Sequence, residues 1–245
     1  MDNAVYQMEY AGHPLRYRFL YPETRSMFRP LPQPAEGEAD IAVSYELHQR
    51  GRNLLPPDSS DAYVEYRCLI EPTARTMLQY NCSLFHGVAF FWRDLAWILT
   101  APPGTGKTTQ YRNWIRQHRG EIRVISGDKP MLEKRDDGSV WVHPSPWNGK
   151  ENFAGRDRAP LGGIVLLEQG KCNSIRPLTA REAVLPLFRQ FLACPVTEGE
   201  ILAQSGLLDA MLRFAPSWKF INLGDAASTE LMRETLLARK EKEEV

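Results

Sequence analysis

A glycine-rich stretch lies between a strand-like and a helix-like segment near the middle of the chain. Its sequence is Ala101-Pro102-Pro103-Gly104-Thr105-Gly106-Lys107-Thr108. The apolar run 95–99 before it has the length of a buried strand, and Tyr111, Trp114 and Ile115 after it recur at helical spacing. A strand, a glycine-rich turn and a helix in this order form one unit of an α/β protein, so this stretch restricts the fold more than any other part of the chain.

The same stretch has the spacing of a phosphate-binding loop, although Ala101 replaces the usual first glycine. Gly104 and Gly106 allow backbone N–H groups to approach phosphate closely. The Lys107 ammonium is able to reach the β and γ phosphate oxygens, and the Thr108 hydroxyl is able to hold Mg²⁺. We therefore predict a site for ATP and Mg²⁺; an ordinary glycine-rich turn is the alternative. The predicted nucleotide-binding residues are Pro103, Gly104, Thr105, Gly106, Lys107, Thr108 and Thr109.

Composition limits the partners and the compartment. The 245 residues include 30 Lys and Arg and 30 Asp and Glu, so no general basic field favours nucleic acid as a partner. The four cysteines are widely spread and form no C-x-x-C pair, which predicts reduced structural thiols. The amino terminus lacks a signal-peptide pattern, and no apolar run approaches membrane-spanning length. We expect a cytoplasmic protein without a membrane partner, and we leave homo-oligomerisation open.

The first 82 residues differ in pattern from the rest. Alternating apolar residues over 41–47 and over 64–70 predict strands, and a short helix is expected over 73–80. We therefore predict a β-rich amino-terminal region over residues 1–82 and a nucleotide-binding kinase domain over residues 83–245. Because the first region lacks phosphate-binding motifs, we expect it to serve acceptor recognition or assembly.

The chain after the phosphate-binding loop predicts a mixture of strands and helices. A strand is expected over 122–125, a hairpin over 130–134 and 139–143, and further strands over 161–167 and 218–223. Thr-x-x-Glu boxes at Thr179 and Thr197 each predict the start of a helix. The charged carboxyl terminus predicts a solvated end to the last helix.

Two further residues are candidates for the chemistry. Asp128 follows the strand predicted over 122–125, where a P-loop enzyme needs an acid as a metal ligand or as the base for an incoming hydroxyl. The alternative is a turn or helix-capping aspartate. His86 lies in the segment that precedes the P-loop strand, so hairpin pairing would bring it near the phosphates. A purely structural histidine is the alternative.

Taken in order, Phe85-His86-Gly87-Val88, the P-loop and the strand ending in Asp128 resemble the catalytic core of the HPr kinase/phosphorylase family, which shares a nucleotide fold with phosphoenolpyruvate carboxykinase. The resemblance continues through 125–129, 145–151 and 160–164, and it covers residues from about 84 to 236. It implies an α/β fold with a P-loop core of this type, which follows the β-rich amino-terminal region in the sequence. It also implies that the catalytic set is His86, Lys107 and Asp128.

The chain departs from the family pattern at one acidic position. The family has a paired Asp-Asp where this chain has Gly127-Asp128, so one acidic function is missing or is supplied elsewhere. The region with which HPr kinase grips its carrier protein has no clear equivalent, and the substrate is therefore not carried over from the resemblance.

Five more residues are candidates for contact with substrate or phosphate. Lys129 adjoins Asp128, and Trp147, Lys150 and Glu151 lie in a loop where a γ-phosphate or an acceptor could be held. A solvated surface turn is the alternative for this loop. Arg176 lies between an apolar strand and a capped helix, where it neutralises transferring charge or forms a surface ion pair.

These features predict a phosphotransferase that uses ATP and Mg²⁺ and has an alcohol group as acceptor. A serine of a small protein or peptide is the most natural acceptor. A kinase of a small alcohol metabolite is an alternative, as is a non-catalytic nucleotide-binding regulatory module. Asp128 and His86 favour an enzyme, whereas Gly127 in place of a second acid favours the regulatory module.

Overall fold

In the computed structural model, which describes residues 4–102, 104–150 and 152–243, the strands form a small amino-terminal sheet and a larger central sheet. The strands of the small sheet are β1 (Val5–Tyr10), β2 (His13–Arg18), β3 (Gln33–Ala35) and β4 (Ile41–Ala42). Their spatial order is β3-β1-β2-β4. The pairs are antiparallel except for β2 with β4, which is parallel.

Helices, and not strands, fill the rest of the amino-terminal region. They are α1 (Pro22–Arg25), α2 (Tyr45–Leu54), α3 (Asp61–Cys68), α4 (Ile70–Thr76) and a 3-10 helix (Met77–Tyr80). The β-rich description therefore fits only the chain up to β4. The helix expected over 73–80 is confirmed as the end of α4 and the 3-10 turn.

The strands predicted over 41–47 and 64–70 were wrong except for the two residues of β4. The reason is capping. The side chain of Ser44 accepts a hydrogen bond from the backbone N–H of Leu47, and the side chain of Ser60 does the same for Tyr63. Each cap stabilises a helix start, and this local signal outweighs an alternating apolar pattern.

The central sheet contains the strand that leads into the glycine-rich loop. Its strands are β5 (Cys82–Leu84), β6 (Val88–Trp92), β7 (Leu95–Thr100), β8 (Arg123–Ser126), β9 (Met131–Lys134), β10 (Val140–His143), β11 (Ala159–Gln169), β12 (Ser174–Leu178) and β13 (Ser217–Asn222). The order is β5-β9-β10-β11-β7-β6-β8, with β13 beside β11 and β12 beside β13. Because β7, β11 and β13 are parallel, their carboxyl ends share one edge, which is where ligands bind in open α/β sheets.

Four helices accompany the central sheet, and they are α5 (Lys107–Gln117), α6 (Ala180–Phe188), α7 (Glu198–Phe214) and α8 (Ala226–Glu243). The sequence predictions for this half are confirmed: β7 and α5 flank the glycine-rich loop, and β9 pairs antiparallel with β10. Both predicted capping boxes are present, at Thr179 and Thr197. The protein is thus a mixed α/β protein with multi-stranded sheets.

One hydrophobic cluster joins the amino-terminal region to the central sheet. It combines Tyr17 and Phe28 from the first with Leu84, Met131 and Trp147 from the second. The boundary predicted between residues 82 and 83 therefore crosses a continuous core. Burying large aromatic and aliphatic side chains in this way stabilises both parts together.

Two sequence expectations concern cysteines and membrane segments. All four cysteines, Cys68, Cys82, Cys172 and Cys194, are free thiols, as predicted. Within the described ranges, no helix is both long and apolar enough to cross a membrane.

Candidate functional site

The glycine-rich loop connects β7 directly to α5 at the carboxyl edge of the sheet. Gly104 has φ +80° and Gly106 has φ +101°, which lie in the left-handed region, and a Cβ added at either residue would meet no atom within 4 Å. These positions therefore require glycine for backbone conformation and not for space. The turn leads into the first N–H groups of α5, which have no partners within the helix and favour an anion.

Lys107 opens α5 and is held close to the loop. Its Nζ donates hydrogen bonds to the carbonyl oxygens of Ala101 at 2.8 Å and Pro102 at 3.2 Å. Burial lowers the pKa of Lys107; Asp128 opposes this shift and Lys129 adds to it. The ammonium therefore lies beside the loop whose geometry favours a phosphate, and its hydrogen bonds to backbone can be exchanged for bonds to phosphate oxygens.

Backbone pairing brings His86 next to Asp128. The N–H of Gly87 donates to the carbonyl oxygen of Asp128 at 2.9 Å. Glycine allows this close packing, because a Cβ on Gly87 would lie 2.8 Å from Cγ2 of Ile98. As a result, Nε2 of His86 lies 3.6 Å from Oδ1 of Asp128. His86, which was expected to approach the phosphates, thus lies beside Asp128, and this contact depends on residues far apart in sequence.

The second ring nitrogen of His86 fixes its tautomer. Nδ1 lies 3.1 Å from Oε1 of Gln190, whose Nε2 donates to the carbonyl oxygen of Pro186 at 3.4 Å. The glutamine oxygen is therefore the atom that accepts from Nδ1–H. Burial, with Lys107 adding to it, lowers the pKa of His86, so the ring is neutral at pH 7. The lone pair on Nε2 is thus left on the side of Asp128.

Asp128 also contacts Lys129, because the Lys129 Nζ forms a short ion pair with its carboxylate. The preceding position has no room for another acid. A Cβ on Gly127 would lie 2.7 Å from the carbonyl oxygen of Asn148 and 2.9 Å from Cβ of Phe153. The second acidic function of the family pattern is therefore excluded at residue 127 by packing.

These residues meet in a cleft of about 730 Å³. The described residues that line it are Tyr63, Tyr66, Arg67, Ile70, His86, Gly104, Gly106, Lys107, Thr108, Thr109, Gly127, Asp128, Lys129, Pro146, Trp147, Asn148, Gly149, Lys150 and Asn152. The P-loop forms one wall and α3 contributes to another. Asp128 is the only carboxylate among these described lining residues.

Trp147 lies mainly in the core, although it borders the cleft. The side chain is 2 % exposed, and its ring stacks on Tyr10 with centroids 6.2 Å apart. Its Nε1 donates to the backbone oxygen of Tyr66 at 3.0 Å. The expectation that Trp147 offers an open ring as a platform is therefore corrected: the ring packs against the amino-terminal region.

The other sequence candidates have different positions. Lys150 is an exposed residue of the cleft rim. Arg176 is exposed and forms an ion pair with Glu182 at 2.9 Å, which supports the surface interpretation and not a phosphate contact. Pro103 and Glu151 lie outside the described residues.

Sequence reasoning missed α3 as a wall of the cleft, and it missed the side-chain amides that support His86 and the Asp128 loop. Arg67 fell within the strand predicted over 64–70 and Tyr63 lay just before it, although Ser60 followed by Asp61 is a helix-start signal. No local pattern marked Gln190, whose contact with His86 spans 104 positions in sequence. The side chain of Asn148 accepts a hydrogen bond from the N–H of Gly127 at 3.3 Å and supports the loop that holds Asp128. No sequence pattern indicated this contact either.

Comparison with known proteins gives a distant structural similarity. No family model matches the sequence, and no curated protein matches it. Among solved structures, the fold is similar to the HPr(Ser) kinase/phosphatase from Coxiella burnetii, with a TM-score of 0.40 and 8% sequence identity. The alignment covers 64% of this chain and 99% of that chain. At this level the likeness carries no argument about chemistry, which depends on the site geometry alone.

Proposed function

We propose that this chain is a kinase that uses ATP and Mg²⁺ to transfer the γ-phosphoryl group to a hydroxyl acceptor, with a serine of a small protein or peptide as the acceptor class. The observation that carries the proposal is the convergence of Lys107, His86 and Asp128 on one cleft beside the glycine-rich turn. Phosphoryl transfer needs phosphate neutralisation and an oriented acceptor more than covalent help from the protein. These residues provide both kinds of group.

Thr108 and Asp128 are suitable Mg²⁺ ligands. Both line the cleft, one with a hydroxyl and one with a carboxylate. Mg²⁺ prefers oxygen ligands and is commonly bound through one or two protein groups together with substrate phosphates. The ion, when bound, neutralises charge on the β and γ oxygens.

His86 and Asp128 act on the acceptor in the proposed mechanism. Neutral Nε2 and the carboxylate are both proton acceptors, and their 3.6 Å separation exceeds a hydrogen bond between them. A hydroxyl placed against this pair loses its proton to Asp128 as its oxygen bonds to the γ-phosphorus. The bond from that phosphorus to the bridging oxygen breaks, and ADP leaves. His86 offers Nε2 as a second acceptor for the same proton, and Lys107 stabilises the phosphate charge.

Two observations favour the non-catalytic nucleotide-binding module as a second candidate. Lys129 already pairs with the Asp128 carboxylate, and packing excludes a second acid at residue 127. A module of this kind would bind MgATP without transferring phosphate. A small alcohol metabolite remains the alternative acceptor for the kinase.

The test combines binding with labelling. Calorimetric titration with MgATP is expected to show a loss of about 10- to 100-fold in affinity for Lys107→Ala, because a charge-assisted phosphate contact disappears. Arg116→Ala removes an exposed cation from the same helix and is the matched control. Equal affinity of the wild type and Lys107→Ala for MgATP would overturn the nucleotide site.

Labelling then separates the two candidate functions. Incubation of γ-labelled ATP with a fractionated cell extract is expected to give a labelled acceptor with the wild-type chain, and identification of the labelled species defines its class. Tight MgATP binding without any labelled acceptor would support the regulatory module instead of the kinase.

A further inference from the structure

We infer that α3 forms the acceptor side of the cleft and selects an acceptor that carries an anionic group next to its hydroxyl. The inference deepens the proposed kinase function, and it rests on that function in calling the ligand an acceptor. The observation that carries it is an exposed arginine on the α3 wall that has no carboxylate partner within the described part of the chain, in the same cleft as the P-loop and Asp128.

The cleft-facing side of α3 follows helical spacing. Four residues of this segment line the cleft, and they are Tyr63, Tyr66 and Arg67 on the helix and Ile70 just beyond it. The last three follow Tyr63 by three, four and seven positions, so all four share one side of the segment. Val64 and Glu65 on the same helix are fully buried. One side of α3 therefore packs into the protein while the other side faces the cleft.

A buried carboxylate fixes this helix to the amino-terminal region. Glu65 is 0% exposed, and it accepts hydrogen bonds from the N–H groups of Leu20 at 2.6 Å and Tyr21 at 3.1 Å. The hydroxyl of Thr24 donates to it at 2.6 Å. A buried carboxylate with three donors is a strong positional anchor, because losing those partners would leave a charge unsolvated.

Tyr66 fixes the same helix to the loop that follows β10. Its hydroxyl donates to the carbonyl oxygen of Pro146 at 2.7 Å, and its backbone oxygen accepts from Nε1 of Trp147 at 3.0 Å. Burial raises the pKa of Tyr66, and the nearby Asp128 carboxylate adds to that shift, so the hydroxyl stays protonated and remains a donor. The α3 wall is thus held at a fixed position relative to the Asp128 side of the cleft.

Arg67 is the charged group that this framework presents. Its side chain is exposed, and Nη1 donates to the hydroxyl of Tyr63 at 3.3 Å. Among the described residues it has no ion-pair partner, whereas Lys129 pairs with Asp128. Lys107 lies at the P-loop and donates to loop carbonyls. Besides Lys150 on the exposed rim, the guanidinium on α3 is therefore the cation of the cleft that is left to bind an anion.

The chemistry of Arg67 defines the ligand class. A guanidinium presents a planar fork that binds carboxylate or phosphate in a bidentate manner, and the Tyr63 hydroxyl beside it supplies one more polar contact. An acceptor that approaches the triphosphate with its own negative charge is repelled unless a cation neutralises it. Acidic residues next to an acceptor serine satisfy this requirement, and so does the carboxylate of a small hydroxy acid.

Binding of defined peptides to the full chain tests this inference without turnover. Three serine peptides, flanked by Asp, Asn or Lys, are titrated by calorimetry into protein saturated with MgADP, in parallel with glycerate as a small hydroxy acid. The Asp-flanked peptide is expected to bind about tenfold more tightly than the Asn-flanked one, on the scale of one charge-assisted hydrogen bond. Arg67→Gln should abolish this preference and leave MgATP affinity unchanged, and Tyr63→Phe should reduce it a few-fold.

The control is Arg50→Gln, which removes an exposed arginine from the neighbouring helix α2 that does not line the cleft in the described residues. Selection of glycerate instead of the Asp-flanked peptide, with the same dependence on Arg67, supports the inference and identifies a small-molecule acceptor. The inference is overturned when the Asp-flanked peptide binds no more tightly than the Asn-flanked peptide and glycerate does not bind. A preference that survives Arg67→Gln also overturns it, as does a loss of MgATP affinity in that variant.

Failure of the kinase proposal gives a different result. A chain that fails to bind MgADP contradicts the nucleotide site, yet the peptides can still be titrated into the nucleotide-free protein. In that case Lys107→Ala identifies peptide binding at the P-loop and Arg67→Gln identifies binding at α3. The two proposals therefore fail independently.

Discussion

The two walls of the cleft are built in different ways. The wall formed by the glycine-rich loop comes from a single short stretch, which combines the left-handed backbone of Gly104 and Gly106 with one lysine. The α3 wall depends on side chains whose positions are fixed by distant partners, such as Glu65 with Leu20 and Tyr66 with Pro146. The wall formed by the glycine-rich loop is therefore encoded locally, whereas the α3 wall is encoded by tertiary packing.

This difference decides how the amino-terminal region can be tested. Removing the chain before residue 73 would delete α3 and expose core side chains such as Leu84, Met131 and Trp147. A truncation would therefore fail through aggregation whether or not the region recognises an acceptor. Point substitutions on each wall separate chemistry from stability and are the better test of the comparison.

The largest expected effect is on the reacting side of the cleft. Asp128→Asn is expected to lower the phosphoryl-transfer rate by about 10²- to 10⁴-fold, the scale of general-base loss, with the fold intact. Rates measured with γ-labelled ATP, together with circular dichroism, check this. Asp157→Asn is the control, because Asp157 is an exposed carboxylate paired with Arg123. Normal turnover in Asp128→Asn would refute the catalytic role.

The next effect concerns the junction between the two walls. Trp147→Ala is expected to lower the free energy of unfolding by about 3–5 kcal/mol, because it removes a fully buried ring from the cluster that joins both regions. Urea unfolding measures the change. Trp141→Ala, at a half-buried position on β10, should cost less. A loss below about 1 kcal/mol for Trp147→Ala would show that the two regions are energetically separate.

A smaller effect is expected at Gly127, on the Asp128 side. Gly127→Ala should cost about 1–3 kcal/mol of stability, because its Cβ would lie 2.7 Å from the carbonyl oxygen of Asn148 and force that loop to move. Gly199→Ala is the matched control, since a Cβ there meets nothing within 4 Å and alanine favours the helix. Thermal unfolding of both variants checks the difference, and equal melting temperatures would contradict the packing argument.

The accuracy of sequence reasoning follows the same division between local and distant determinants. The strand and helix on either side of the glycine-rich loop, the β9–β10 hairpin and the capped starts of α6 and α7 were predictable because neighbouring residues determine them. The strands expected over 41–47 and 64–70 were wrong, because the alternating apolar pattern was given more weight than Ser44 and Ser60, which cap the starts of α2 and α3.

The candidate site shows the same limit. Lys107, Asp128 and His86 were identified from motif and spacing, and the structure places all three around one cleft. Gln190 was missed because its contact with His86 joins elements that are distant in sequence. Arg67 was missed because it lies within the segment 64–70, which was predicted as a strand and is mostly helical. Trp147 was misread as an exposed platform for a related reason, since only tertiary packing shows that its ring is buried.

The smallest expected effect is the pH dependence of transfer, which tests whether His86 belongs to the reacting side. Burial, with Lys107 adding to it, lowers the pKa of His86, so Nε2 is a free acceptor near neutral pH and is protonated only below the ordinary histidine pKa of about 6.5. The rate should therefore be constant above about pH 6.5 and fall as the pH drops through the lowered pKa. The unfolded chain also binds this proton more readily, so stability falls in the same direction and circular dichroism must accompany each rate. His86→Asn should lower the rate about tenfold at pH 7 and remove this acid limb, whereas an unchanged limb in the variant would assign the titration to another group.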